Sequence, residues 1–222
     1  MDIFLYSNEI RNLNPLEQRL FYRHNHWLEF DFKNQHVHYC INYITENYPN
    51  GITRNNIIDY LKVDNSSLLI GFLLTMIWGH GFSMHGRADN RGPWKVNKML
   101  ANFDNSIEIL ENSKKHLLKN DLISAHLEFN DMERCRVNFF SKYLYFLGRA
   151  LEMKNYPLIF DARVAKSIGQ LNVNNIRLFE ILDIQPKQDA LSFVNYVNEI
   201  HKLAHELNLP AENIEYFLFN GV

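Results

Sequence analysis

The stretch Val137-Asn138-Phe139-Phe140-Ser141-Lys142-Tyr143-Leu144-Tyr145-Phe146-Leu147-Gly148-Arg149-Ala150-Leu151-Glu152-Met153 decides the fold class. Its apolar positions 139, 140, 143, 144, 146, 147, 150 and 151 recur with helical spacing and give one helix a wide buried face. Asn155-Tyr156-Pro157 ends it. Working outward, the same spacing predicts helices over His36–Tyr48, Arg54–Leu61, Ser66–Trp78, Gln188–Leu207 and Pro210–Phe219, the last with proline at its first position. Further helices are expected over Leu16–Trp27, over Trp94–Asn130 with breaks, and over Asn175–Leu182. Asp161 stands where an N-cap belongs, ahead of Val164–Ile168, with Gly169 at the far end. The expectation is an all-α protein in two lobes pinned together by a shared long helix.

Composition agrees. Only 9 Gly and 6 Pro in 222 residues argue against a turn-rich β-sandwich, and 46% hydrophobic residues suffice for a core. Two cysteines, Cys40 and Cys135, are too few for a disulfide scaffold. The start Met1-Asp2-Ile3-Phe4-Leu5 has no basic n-region, and the longest apolar run, Leu68–Trp78, is too short for a membrane span. A cytoplasmic location is expected.

One segment breaks the helical texture. Residues 79–93 hold four of the nine glycines, in a basic loop that includes Met84, His85, Arg87 and Arg91. Such a loop inside a helical protein marks a close approach to backbone. His201 and His205 share a helix face at i, i+4, but Lys202-Leu203-Ala204 between them supplies no general base, so the metalloprotease pattern is absent. No phosphate-binding glycine loop, serine elbow or iron–sulfur cysteine run occurs. No metal or cofactor is expected.

Lys142 is a lone cation in a helix crowded with rings and leucines. One reading is a lysine snorkelling from an apolar edge. The other is an amine desolvated enough to lose its proton near neutrality and attack a carbon. Asp161, as a helix cap, is held ionised by backbone N–H groups, which suits a carboxylate that must stabilise positive charge on a sugar.

A helix bearing Ser141-Lys142, a proline-interrupted connection, and an Asp nineteen residues after the Lys together resemble the helix-hairpin-helix DNA glycosylase superfamily. The phrases Ser141-Lys142-Tyr143-Leu144-Tyr145-Phe146 and Pro157-Leu158-Ile159-Phe160-Asp161-Ala162-Arg163-Val164, with Trp78-Gly79-x-Gly81 and the Arg87 to Gly92-Pro93 loop, are most similar to bacterial 8-oxoguanine DNA glycosylase-like proteins. The likeness covers roughly Leu68 to Gly169. It implies one two-lobed glycosylase-like domain over 1–222 with a central active-site cleft, a glycine-rich basic loop at 79–93 and a catalytic region at about 131–170. It implies Lys142 and Asp161 as the catalytic pair. The partner it implies is double-stranded DNA with a damaged or modified base, met by a monomer that uses no cofactor.

Met84, His85, Arg87, Arg91, Lys95 and Lys98 are the DNA contacts this reading offers: cations for phosphates, an apolar or imidazole wedge for the vacated stack. The superfamily's Gly-hydrophobic-Gly hairpin turn is missing. Its place reads Met132-Glu133-Arg134-Cys135-Arg136-Val137-Asn138, where Arg134 and Arg136 could meet phosphate by charge. The base removed is left open between an oxidised purine and a hypermodified base of phage DNA. Two other readings stay open: a glycosylase-fold protein that binds DNA without chemistry, and an unrelated helical interaction protein. The net charge of −2 hides a segregation: residues 84–98 carry four cations against Asp89, and residues 187–222 carry two cations against five acids.

Overall fold

The structure is a computed structural model that describes residues 3–82, 91–171 and 189–221. Its described elements are nearly all helical. A 3-10 turn (Ile3–Tyr6) leads into α1 (Ser7–Arg11), a second 3-10 turn (Pro15–Glu17), strand β1 (Arg19–Leu20), α2 (His24–Leu28) and α3 (Gln35–Asn47). Strand β2 (Ile52–Thr53) runs directly into α4 (Arg54–Lys62), followed by α5 (Leu68–Gly79). Beyond the glycine loop come α6 (Gly92–Met99), α7 (Phe103–Leu118), α8 (Leu122–Leu127), a 3-10 turn (Glu128–Asp131) and α9 (Val137–Ala150). The last described helices are α10 (Ala162–Leu171), α11 (Ala190–Leu207) and α12 (Ala211–Asn220). The expected helix Asn175–Leu182 lies outside the described residues, as do Met84, His85 and Arg87.

Helix α5 is the axis of the core. Residues 69–78 are buried on every face, so this helix has no solvent side. Its start is fixed by Ser67, whose hydroxyl accepts the Ile70 N–H, and its one interior hydroxyl, Thr75, donates to the Gly71 carbonyl at 2.8 Å. Helix α9 packs on it through edge-to-face pairs, Phe72 with Tyr143 at 5.5 Å and Trp78 with Phe146 at 5.3 Å. Each ring buried in this way contributes roughly 1.5–3 kcal/mol relative to exposure. The apolar side chains form one continuous core from Ile3 to Leu218.

The chain ends are joined. The Asn213 side chain on α12 donates to the carbonyls of Ile10 and Leu13 at 3.1 and 3.0 Å. Arg54 on α4 pairs with Glu215 on α12 at 2.7 Å, and both side chains are buried. The Arg54 guanidinium also lies over the rings of Trp78, Tyr145 and Tyr216. Desolvation works against its charge, but Glu215 outweighs this and holds it protonated.

Two sequence expectations are corrected here. Leu16–Trp27 is not one helix: Arg19 and Leu20 pair antiparallel with Thr53 and Ile52, and Phe21 bridges to Phe82. Backbone groups recruited into that small ribbon cannot also make helical bonds, so Leu16 and Glu17 stay in a 3-10 turn and the α-helix is confined to His24–Leu28. Pro210 is the N-cap of α12 rather than its first helical residue. Of the five C-terminal acids, Glu212 and Glu215 are buried and paired internally. Among the described residues no helix is long and apolar enough to cross a membrane.

Candidate active site

Lys142 faces inward from the middle of α9, in a run, Phe140 to Gly148, that is buried throughout. A lysine is tolerated here because its stem finds a slot. A Cβ built at Gly79 would stand 3.1 Å from Lys142 Cδ and 3.6 Å from its Cε, so the bare backbone of α5 makes room for the methylenes. The amine donates to the Asn138 carbonyl one turn back and sits 5.9 Å from the Phe139 ring centre. Its side chain is 9% exposed. This is not a snorkelling edge lysine. Burial in these surroundings pushes its pKa below the ordinary lysine value, partly opposed by the charges of Asp161 and Glu215.

Asp161 meets it from the start of α10. One carboxylate oxygen, Oδ1, accepts the N–H groups of Arg163 and Val164 at 2.9 and 3.2 Å, the capping role read from the sequence. The other, Oδ2, lies 3.9 Å from Lys142 Nζ. Cap and ion-pair partner are thus different atoms of one side chain. The arrangement holds an amine, made easier to deprotonate by burial, beside a carboxylate anchored on a helix N-terminus.

The segment carrying Asp161 is tied down along its length. His201 Nε2 bonds the Tyr156 carbonyl at 2.8 Å, and the Tyr196 hydroxyl donates to the Ile159 carbonyl at 2.9 Å. Ser141 bonds both backbone groups of Phe160. Gly148 lets the segment lie close on α9, since a Cβ there would be 2.4 Å from Pro157 Cδ. Ser141 and Gly79 lie in the phrases that carry the family resemblance, with no local feature that marks their contacts, and His201 reads in sequence only as half of a histidine pair. A glycine inside so strong a helix was the available signal for Gly148, because it costs about 1 kcal/mol relative to alanine unless packing needs it. Tyr196, which lies 37 residues from its partner, had no local signal.

Of the candidate DNA contacts, Lys95 shares a ring with Lys142, and the other described ones lie on α6 and at the start of α9. Lys95 on α6 places Nζ 5.3 Å from the Phe139 ring, the ring that Lys142 also faces. Arg134 lies 5.6 Å over exposed Trp94, also on α6. Arg136 is the exposed N-cap of α9, and Arg91 the exposed N-cap of α6. Lys98 is half-buried near the end of α6.

A family described as "Putative 8-oxoguanine DNA glycosylase OGG-like protein" matches residues 14–219. The chain belongs to this family. No curated protein and no solved structure matches it. In this OGG-like protein the turn between α8 and α9 keeps a left-handed residue without a glycine: Arg134 has φ 63°. The Cys135 N–H donates to Met132, and the Arg136 carbonyl accepts from Phe139 and Phe140 as α9 begins. Among the described residues no group of three or more His, Cys, Asp or Glu could hold a metal ion; His201 is engaged with Tyr156, and His205 is exposed.

Proposed function

We propose that the chain is a DNA glycosylase that uses Lys142 as a nucleophile and Asp161 as its charge partner, with an associated strand-cleaving lyase activity. The approach of Lys142 Nζ to within 3.9 Å of Asp161 Oδ2 carries this reading, because the two groups reach one reacting centre. Acting as a monomer, the protein takes a nucleotide rotated out of the duplex into a cleft between two lobes, since the anomeric carbon is unreachable in the base stack.

There the C1′–N bond breaks and its electron pair leaves with the base, which takes up a proton. Asp161 stabilises the oxocarbenium-like sugar. The neutral Lys142 amine bonds C1′ and gives up a proton; ring opening then yields an imine. Loss of a C2′ proton to water forms the C2′–C3′ double bond, breaks the C3′–O bond and expels the phosphate; water then adds to the imine carbon and releases the lysine amine. Arg91, Lys95, Lys98, Arg134 and Arg136 hold backbone phosphates, an interaction that weakens steeply with salt. Met84, His85 and Arg87 belong to the same proposed surface.

The family description points to 8-oxoguanine-type oxidised purines in DNA repair as the substrate. The experiment is incubation with duplexes carrying oxidised, alkylated or glucosylated bases, with wild type, Lys142→Gln and Asp161→Asn compared. Release of an oxidised purine, lost in both variants, is expected. Release confined to glucosylated bases would move the role to defence against phage DNA. Base release that both variants retain would refute the assignment.

A further inference from the structure

We propose that Ser141 is a positioning residue that sets the distance between Lys142 and Asp161, by fastening the segment before α10 to α9. The inference rests on the glycosylase reading above. Ser141 is fully buried. Its hydroxyl donates to the Phe160 carbonyl at 3.3 Å and accepts the Phe160 N–H at 3.1 Å. One hydroxyl therefore satisfies both backbone groups of a single residue, as a neighbouring strand would.

The placement of this clamp matters more than its strength. Ser141 immediately precedes Lys142, and Phe160 immediately precedes Asp161. The clamp thus joins the two positions adjacent to the catalytic pair, nineteen residues apart at each end. Tyr196 and His201 hold the same segment, but they tie it to α11 and so do not fix its distance from the lysine. Gly148 fixes only how closely the segment lies on α9, through Pro157. A chain with alanine at 141 keeps its helix and leaves a buried N–H and C=O unpaired, which Phe160 can relieve by moving toward solvent and taking Asp161 with it.

The test is covalent trapping by borohydride on a duplex with one abasic site, followed from about pH 5 to 10. This probe needs only Lys142, whatever base the enzyme removes. The trapping rate rises with pH as the amine loses its proton, and the midpoint reports the charges facing it: Asp161, Glu215 on α12, Arg54 on α4 and Arg163 on α10. Asp161→Asn is expected to lower the midpoint, because the carboxylate favours the protonated amine. Ser141→Ala is expected to lower it too, by up to about one unit, with Ser141→Thr restoring it. The double variant Ser141→Ala/Asp161→Asn is expected to shift no further than Asp161→Asn alone. If Ser141→Ala does not fold, Ser141→Cys, which keeps the volume and bonds weakly, is read in the same way. A wild-type midpoint retained in a folded variant with a merely smaller yield would overturn the proposal. Wild type that traps no adduct at any pH would instead refute the glycosylase reading beneath it.

Discussion

Gly79 and Lys142 occupy one slot between α5 and α9: a Cβ at Gly79 would come within 3.1 Å of the lysine's Cδ. The lysine's course toward Asp161 depends on a missing side chain on a different helix. Gly79→Ala should leave the fold intact, since alanine favours a helix by about 1 kcal/mol over glycine. It should slow adduct formation on abasic DNA by about 10-fold through displacement of the amine. Trapping rates and thermal unfolding of the same variant check both halves.

Arg134 sits in a conformation that costs a non-glycine residue roughly 1–2 kcal/mol. Arg134→Gly should therefore raise stability by about 0.5–1 kcal/mol while weakening DNA binding and lowering its salt slope by about 1. Opposite signs for stability and binding distinguish a turn retained for its charge from one retained for its shape. Denaturant unfolding and binding titrations across salt concentrations measure them.

Lys142 carries a pKa lowered by desolvation, so folding disfavours its charged form. The penalty is complete at pH values below the folded pKa and fades as pH rises toward the unfolded value. Lys142→Met should abolish adduct formation and remove the cost of desolvating the amine near neutrality, at the loss of its pairing with Asp161. It should also flatten the rise of stability with pH on the alkaline side, seen by denaturant unfolding at a series of pH values.

Tyr196→Phe removes the hydroxyl that bonds the buried Ile159 carbonyl and nothing else. A loss of about 1–2 kcal/mol in unfolding free energy is expected. Trapping on abasic DNA should fall by less than about 3-fold, because the bond from Ser141 still holds Phe160.

That Lys142 and Asp161 are candidates was legible in the sequence because each has a local signature: a cation amid rings, and an Asp at a helix start. The geometry between them was not, since it depends on Ser141 and Gly79 meeting residues far along the chain. The misread segment Leu16–Trp27 has the same cause. Its fate is decided by Ile52 and Thr53, whose edge-on pairing no local pattern announces. For the acids near the C-terminus the sequence carries charge but not partners; Arg54 and Arg149 claim two of them.

The most direct measurement of the central claim is borohydride trapping on abasic-site DNA, followed by mass spectrometry of the cross-linked peptide. A single covalent adduct on Lys142 is expected in the wild type and none with Lys142→Gln. An adduct of equal yield in Lys142→Gln, or one mapped to a different residue, would contradict it.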